Sequence, residues 1–141
     1  MQATSTKTME RPAGRELSAW LPAARFCGQD YIGAREERAL ELCESMIDVA
    51  AALFNVSGKE LRKSGRSRLD VARVRQIAMY VAHVALRLNM TDIGRGFGRD
   101  RTTVLHACHL IEDLRDDDDF DRVVAATERV ALAAFGGRIT V

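Results

Sequence analysis

The sequence predicts an all-α protein, and three observations support this prediction. Alanine, leucine, arginine and glutamate are abundant, and long runs of β-branched residues are absent. Both prolines precede Ala23, so no proline interrupts the helical patterns in the rest of the chain. Hydrophobic residues make up 47% of the 141 residues, which is enough for one globular domain with a single core.

We expect the chain to have three parts. Residues 1–33 mix Ser, Thr, Pro and Gly with few apolar positions, which is typical of a flexible, largely disordered N-terminal tail. Residues 34–115 carry most of the helical patterns and form the main domain. Residues 116–141 begin with an acidic linker, Asp116–Asp119. They end with a helix, Phe120–Phe135, whose predicted apolar positions are Val123, Val124, Val130 and Leu132.

Two long helices are expected early in the main domain. Apolar residues from Ala34 to Phe54 recur at the spacing of one face of an amphipathic helix. Ser57 is expected to cap a short helix that runs to Lys63. The stretch from Leu69 to Leu88 is expected to be the longest helix. Its predicted buried side comprises Val71, Val74, Ile77, Ala78, Val81, Ala82, Ala85 and Leu88.

A pair of helices joined by a tight turn follows. Thr91 is the expected N-cap of a two-turn helix, Asp92–Phe97, and Gly98 closes that helix. Asp100 is the expected N-cap of the next helix, which reaches Leu114. Three apolar side chains are expected to hold the two helices at a fixed angle: Ile93, Phe97 and Val104.

The net charge of +1 conceals two segments of opposite sign. Seven basic residues lie between Lys59 and Arg75, and seven acidic residues lie between Glu112 and Asp121. A basic segment of this kind suits a polyanionic partner, whereas an acidic run is most often a solvated linker.

Other classes of site and location find little support. Three cysteines without a CxxC pair predict free thiols in a reducing compartment. Since no secretory signal or membrane-length apolar run is evident, we expect a cytoplasmic, nucleoid-associated protein with no membrane partner.

His106, Cys108 and His109 share one helix without an evident fourth ligand, so we expect no metal and no cofactor. No catalytic arrangement is evident, so we expect no enzyme.

The tip of the second paired helix predicts nucleic-acid binding. Its first positions are Asp100, Arg101, Thr102 and Thr103, which can bond to base edges and are not needed in a core. A short helix, a turn and a helix with such a tip are typical of a helix-turn-helix protein, whose second helix enters the major groove of DNA. Arg101 suits a guanine edge, Asp100 an amine of cytosine or adenine, and the threonine methyl groups suit thymine.

The basic loop Arg62–Arg68 offers a second contact. Arginine on a flexible loop can enter a narrow minor groove or lie along phosphates. By itself such a loop is more often a solvated surface segment. Beside a predicted helix-turn-helix, we expect it to make a second contact with DNA.

Residues 51–114 resemble the C-terminal DNA-binding domain of DnaA, the bacterial chromosomal replication initiator. The segment VARVRQIAMY at Val71–Tyr80 is similar to the family's VARPRQ-x-AM segment. Asp92–Gly94 and Phe97-Gly98 match the family's entry into the helix-turn-helix. The segment RDRTTVLHA at Arg99–Ala107 is similar to its RDHTTVLHA signature.

The resemblance implies a multi-helix, Trp-repressor-like domain that binds duplex DNA at short asymmetric sites. Carried over by position, Asp100, Thr102 and Thr103 take major-groove roles beside Arg101. Arg66 or Arg68 enters the minor groove, and both remain candidates because the loop is about one residue longer than in the family. The full set of predicted minor-groove or phosphate contacts is Lys63, Arg66, Arg68, Arg73, Arg75, Thr91 and Arg99.

The sequence departs from the family pattern at several positions. Arg101 replaces a histidine, which changes the base preference expected there, and the turn before Arg99 is one residue shorter. Val74 replaces a proline, and Thr91 stands where the family usually begins a helix with proline. No phosphate-binding GxxxxGK[ST] loop is present, so we expect a stand-alone regulator without the family's ATPase domain.

These observations predict a sequence-specific protein that binds double-stranded DNA and regulates transcription or replication. The alternative is a protein-interaction adaptor that has lost DNA binding. It would recruit a protein partner through the N-terminal tail with Trp20 or through the acidic C-terminal helix, whose acidic run could also shield the basic loop. A homodimer through the first or last helix is compatible with both readings.

Overall fold

The computed structural model describes residues 33–63 and 69–138. Most of the expected tail, and the loop residues Arg66 and Arg68, lie outside the described residues. The chain divides after Glu36, and the description below concerns the unit that begins at Glu37.

Every regular element in the described ranges is helical, which confirms the all-α fold. Helix α1 spans residues 33–54. It is followed by α2 (Gly58–Arg62), α3 (Leu69–Val84), α4 (Met90–Phe97), α5 (Arg101–Leu114) and α6 (Asp118–Phe135), and a 3-10 turn, Gly136–Arg138, ends the described chain.

Helix α3 is central and contacts α2, α4, α5 and α6. Its predicted buried side is buried from Val71 to Ala85, whereas Leu88 is partly buried and lies beyond the helix. Met79 and Tyr80 are buried as well, because α3 has neighbours on several sides. Each fully buried Val, Ile or Met side chain among them stabilises the fold by roughly 1.5–3 kcal/mol, and the alanines contribute less.

The expected length of the Leu69–Leu88 helix is wrong. Helix α3 ends at Val84, and α1 is the longest described helix. The chain reverses at Arg87, which takes a left-handed conformation with φ of 61°. A ring nitrogen of His83 lies 2.9 Å from the carbonyl oxygen of Leu88, which fixes the turn.

The helix starts differ in detail from the predictions. Ser57 and Asp100 occupy the N-cap positions of α2 and α5, but neither side chain makes a capping hydrogen bond. The expected cap at Thr91 is wrong, because α4 begins earlier. Asn89 is its N-cap, and the Asn89 side chain accepts a 2.8 Å hydrogen bond from the backbone N–H of Asp92.

The last helix also begins before its predicted start. Asp118 and Asp119 belong to its first turn, and Asp117 caps it by accepting a hydrogen bond from the backbone N–H of Phe120. Of the predicted apolar positions only Val124 is buried, since the buried face of α6 consists of Val124, Thr127, Ala131 and Phe135. The other three remain exposed: Val123, Val130 and Leu132.

Among the described helices, none combines the length and the apolar character needed to cross a bilayer.

Candidate nucleic-acid interface

Helices α4 and α5 form the predicted helix-turn-helix. The two helices pack against each other, and Ile93, Phe97 and Val104 all lie in the buried core, with exposed fractions of 0%, 2% and 0%. These are the three residues that the sequence predicted to hold the pair together. Helix α5 also packs along α3, so the second helix of the pair is anchored on two sides.

The turn between α4 and α5 is tightly defined. Gly98 takes the left-handed conformation with φ of 65°, a region that L side chains rarely adopt. The backbone N–H of Arg99 then donates to the carbonyl oxygen of Gly94 at 2.8 Å. A Cβ atom on Gly94 would lie 2.6 Å from the carbonyl oxygen of Arg99, so this approach requires glycine.

The tip of α5 is polar and exposed, as predicted. Asp100 and the first three residues of α5, Arg101, Thr102 and Thr103, are all exposed, and the next residue, Val104, is fully buried. The Asp100 carboxylate makes no capping hydrogen bond. The four side chains therefore protrude from a buried base and can reach a ligand without disturbing the core.

The predicted contacts outside the tip are distributed over the end of α2, helices α3 and α4, and the turn before α5. Lys63 is exposed at the C-terminal end of α2, and Arg73 is partly exposed on α3. Thr91 is exposed as the second residue of α4, and Arg99 is partly exposed in the turn. The guanidinium of Arg99 donates to the carbonyl oxygen of Lys63 at 2.7 Å, which links the end of α2 to the helix-turn-helix.

Arg75 occupies a different environment from the other predicted contacts. Its side chain is 6% exposed and donates to the carbonyl oxygens of Leu61 at 2.8 Å and Glu60 at 3.0 Å. Burial lowers the pKa of Arg75, and the positive charge of Arg99 acts in the same direction. The expected phosphate contact needs an accessible guanidinium, so Arg75 is better assigned to supporting α2 from inside the domain.

A narrow cleft between α3 and α5 was missed in the sequence. It encloses about 160 Å³ beside Arg99. Each helix lines it with residues at i, i+3, i+4 and i+7 spacing, which are Ala72, Arg75, Gln76 and Met79 from α3 and Thr103, His106, Ala107 and Leu110 from α5. This spacing places each set of four on one face of its helix, but nothing in the residue types signals that the two faces are opposed.

The metal hypothesis gains no support from the described residues. No group of three His, Cys, Asp or Glu side chains there could hold an ion. Cys108 is buried, whereas His106 and His109 are exposed. Burial raises the pKa of the Cys108 thiol, and the charge of Glu112 adds to this effect.

Comparison with known proteins assigns the segment that contains the tip to a family. Residues 43–111 match the family model described as the bacterial DnaA protein helix-turn-helix. This segment is a DnaA helix-turn-helix domain. The DnaA domain thus contains α2 to α4 and most of α1 and α5, including the whole tip.

Curated relatives agree with this assignment. The DnaA initiator of Lachnoclostridium phytofermentans is 36% identical over 98 residues, which are 68% of this chain and 21% of that protein. The DnaA initiator of Agrobacterium fabrum is 41% identical over 88 residues, covering 62% of this chain and 18% of that protein. The chain therefore spans about a fifth of the length of these relatives.

A solved structure supports the fold. The crystal structure of a DNA replication initiation factor superposes with a TM-score of 0.68 at 22% identity, covering 89% of this chain and 38% of that chain.

The DnaA domain is a DNA-binding domain for double-stranded DNA, and it is not a catalytic one.

Proposed function

We propose that this protein binds duplex DNA at specific sequences and regulates transcription or replication. The observation that carries the proposal is the exposed tip, Asp100–Thr103, standing on the buried Val104. In this arrangement the tip enters the major groove, with Arg101 on a guanine edge, Asp100 on an amine, and the threonine methyl groups on thymine.

Affinity is proposed to come from the positive groups around the tip. The proposed phosphate contacts are Lys63 just after α2, Arg73 on α3 and Arg99 in the turn, and the exposed start of α4 at Thr91 suits a phosphate. The loop residues Arg66 and Arg68 remain proposed minor-groove contacts, although they lie outside the described residues.

The position of the acidic residues favours DNA binding over the adaptor alternative. Helix α5 has 14 residues, so at about 1.5 Å per residue its two ends are about 20 Å apart. The tip lies at one end of α5, and the acidic start of α6 follows the other end. Repulsion between these carboxylates and a duplex at the tip is weakened by this distance, which exceeds the Debye length at physiological salt.

The decisive experiment is selection of bound duplexes from a random library, followed by titration of the selected and a random duplex at two salt concentrations. Specific binding predicts one enriched sequence and a higher affinity for it. Arg101→Ala is expected to reduce the preference by about 1–3 kcal/mol, the value of a lost base contact. Equal losses on both duplexes would mean that Arg101 reads no base.

Arg129→Ala is the matched control. It removes the same charge from an exposed position of α6, beside Val84 and Arg87 at the far end of α3. It is expected to leave the preference unchanged. If no sequence is enriched and binding to both duplexes is weak at physiological salt, the adaptor alternative is favoured instead.

A further inference from the structure

Two arginines hold the end of α2 against the helix-turn-helix. Arg75 from α3 donates to the carbonyl oxygens of Glu60 and Leu61, and Arg99 from the turn donates to that of Lys63. Three carbonyl groups within four consecutive residues are thus bound by two guanidinium groups from two other elements.

The chemistry explains why α2 needs these partners. The last carbonyl groups of a helix have no partner within the helix, and cations near them are favourable. Helix α2 has only five residues, and within the described part of the chain the N–H of Lys63 donates to the carbonyl oxygen of Glu60 at 3.3 Å. The arginines supply the charge-assisted hydrogen bonds that such a short helix lacks.

We propose that Arg75 and Arg99 are positioning residues. They fix the backbone of Lys63 relative to the tip of α5, and so they place the side-chain amine of Lys63 where it can contact the duplex. This inference rests on the proposed DNA binding. It assigns Arg99 a role through Lys63, beyond any phosphate contact of its own. Arg99 immediately precedes Asp100 in the chain and binds the carbonyl oxygen of Lys63, so this one residue links the end of α2 to the tip.

The two guanidinium groups also lie close enough to interact. Both burial and the charge of Arg99 lower the pKa of Arg75, while Glu60 acts in the opposite direction. Like charges are held together here because each has carbonyl oxygens to bind. A lysine keeps the charge but lacks the planar fork that lets Arg75 bind two carbonyl groups at once.

The first test uses the protein without DNA. Hydrogen exchange of the backbone amides of Leu61, Arg62 and Lys63 is measured in the wild type, Arg75→Lys and Arg99→Lys. Exchange is expected to be about ten-fold faster in both variants, because the end of α2 opens more often. Arg73→Lys, whose side chain bonds to Gln76, is the control and should match the wild type. Unchanged exchange in both arginine variants would overturn the inference.

The second test is a double-mutant cycle in DNA affinity, with Arg99→Lys and Lys63→Ala on the selected duplex. Each single change is expected to weaken binding about ten-fold or less. If Arg99 acts through Lys63, the double variant binds almost as well as Lys63→Ala alone. Losses that multiply would show that Arg99 acts independently of Lys63, which would contradict the proposal.

The two tests separate the possible failures. Absence of DNA binding in the wild type would overturn the proposed function. Faster exchange in the variants would still show that Arg75 and Arg99 hold the end of α2 in place. Arg75→Lys alters a buried position, so its thermal melting is measured first. If it fails to fold, Arg99→Lys, in the partly exposed turn, carries both measurements.

Discussion

Gly96 in α4 lies directly against the side chain of Cys43 in α1. A Cβ atom on Gly96 would be 2.4 Å from the Cβ atom of Cys43 and 2.6 Å from its sulfur. The Cys43 thiol is also within 4.0 Å of the carbonyl oxygen of Asp92, one turn earlier in α4. The first helix therefore seats α4 at a point where any side chain larger than hydrogen would collide.

Gly96→Ala is expected to destabilise the domain by about 1–3 kcal/mol, because the added methyl group would collide with the fully buried Cys43. Helix propensity alone predicts the opposite, a gain of about 1 kcal/mol. Urea denaturation followed by circular dichroism measures the difference. Gly137→Ala is the control, since a Cβ atom there meets nothing within 4 Å. A Gly96 variant as stable as this control would refute the close contact.

Alkaline pH should destabilise the domain partly through Cys43. Burial raises the pKa of this thiol from 9.0 to about 12, and the charges of Asp92 and Glu44 act in the same direction. The folded state therefore holds the proton more tightly than the unfolded state between these values. The stability that the neutral thiol contributes is complete below pH 9 and is lost as the pH rises towards 12.

The measurement is the free energy of unfolding at several pH values for the wild type and Cys43→Ala. Above the ordinary pKa of a thiol, the free energy of unfolding of the wild type should fall by up to about 1.4 kcal/mol per pH unit more than that of Cys43→Ala. Parallel profiles for the two proteins would argue against a protected thiol.

Arg115→Ala should cost about 1–3 kcal/mol of stability. The Arg115 guanidinium donates to Asp121 at 2.6 Å, to Glu128 at 3.1 Å and to the hydroxyl of Tyr80 at 3.1 Å, so it joins α3 to α6. Its side chain is 21% exposed, and its removal leaves partly buried acceptors without their donor. Thermal or urea unfolding measures the loss.

Arg122→Ala provides the matched comparison. Arg122 pairs with Asp119 at 2.7 Å on the same helix, but the two side chains are 75% and 90% exposed. Such pairs contribute about 0–1 kcal/mol. Equal losses of stability in Arg115→Ala and Arg122→Ala would mean that the partly buried hydrogen bonds of Arg115 contribute no more than an exposed ion pair.

Asn89→Ala should destabilise the domain by about 1 kcal/mol, because it removes the side-chain acceptor for the backbone N–H of Asp92. Asn89→Ser should restore much of the loss. Thr91→Ala tests the alternative cap and should change stability less, since Thr91 is exposed inside α4. A larger effect at Thr91 than at Asn89 would favour the cap expected from the sequence.

The sequence predicted α5 and its tip well because several local signals agree there. Gly98 marks the turn and Asp100 the N-cap position. The predicted buried side was Val104, Leu105, Cys108 and Ile111, and all but Leu105, which is only partly buried, are buried. The face of α6 was harder to predict. Thr127 and Ala131 are weak hydrophobic signals, yet Thr127 is buried because its hydroxyl donates to the carbonyl oxygen of Val123.

Arg75 illustrates what a local pattern leaves open. Its place in a basic segment suggested a phosphate contact, but its guanidinium binds carbonyl groups 14 and 15 residues earlier in the chain. Only the packing of α2 on α3 brings these groups together. The cap of α4 was predicted at Thr91, whereas Asn89, another good N-cap residue two positions earlier, caps the helix.

The boundary between Thr103 and Val104 separates recognition from thermal stability. The side chains at positions 100–103 are exposed, whereas Val104 begins the packed side of α5. Substitutions at Arg101 and Thr102 should therefore leave the fold intact, while changes at the N-cap Asp100 and at Thr103, which lines the cleft against α3, cost somewhat more. Retargeting of such a domain, in the laboratory or over generations, can proceed without compensating changes in its interior.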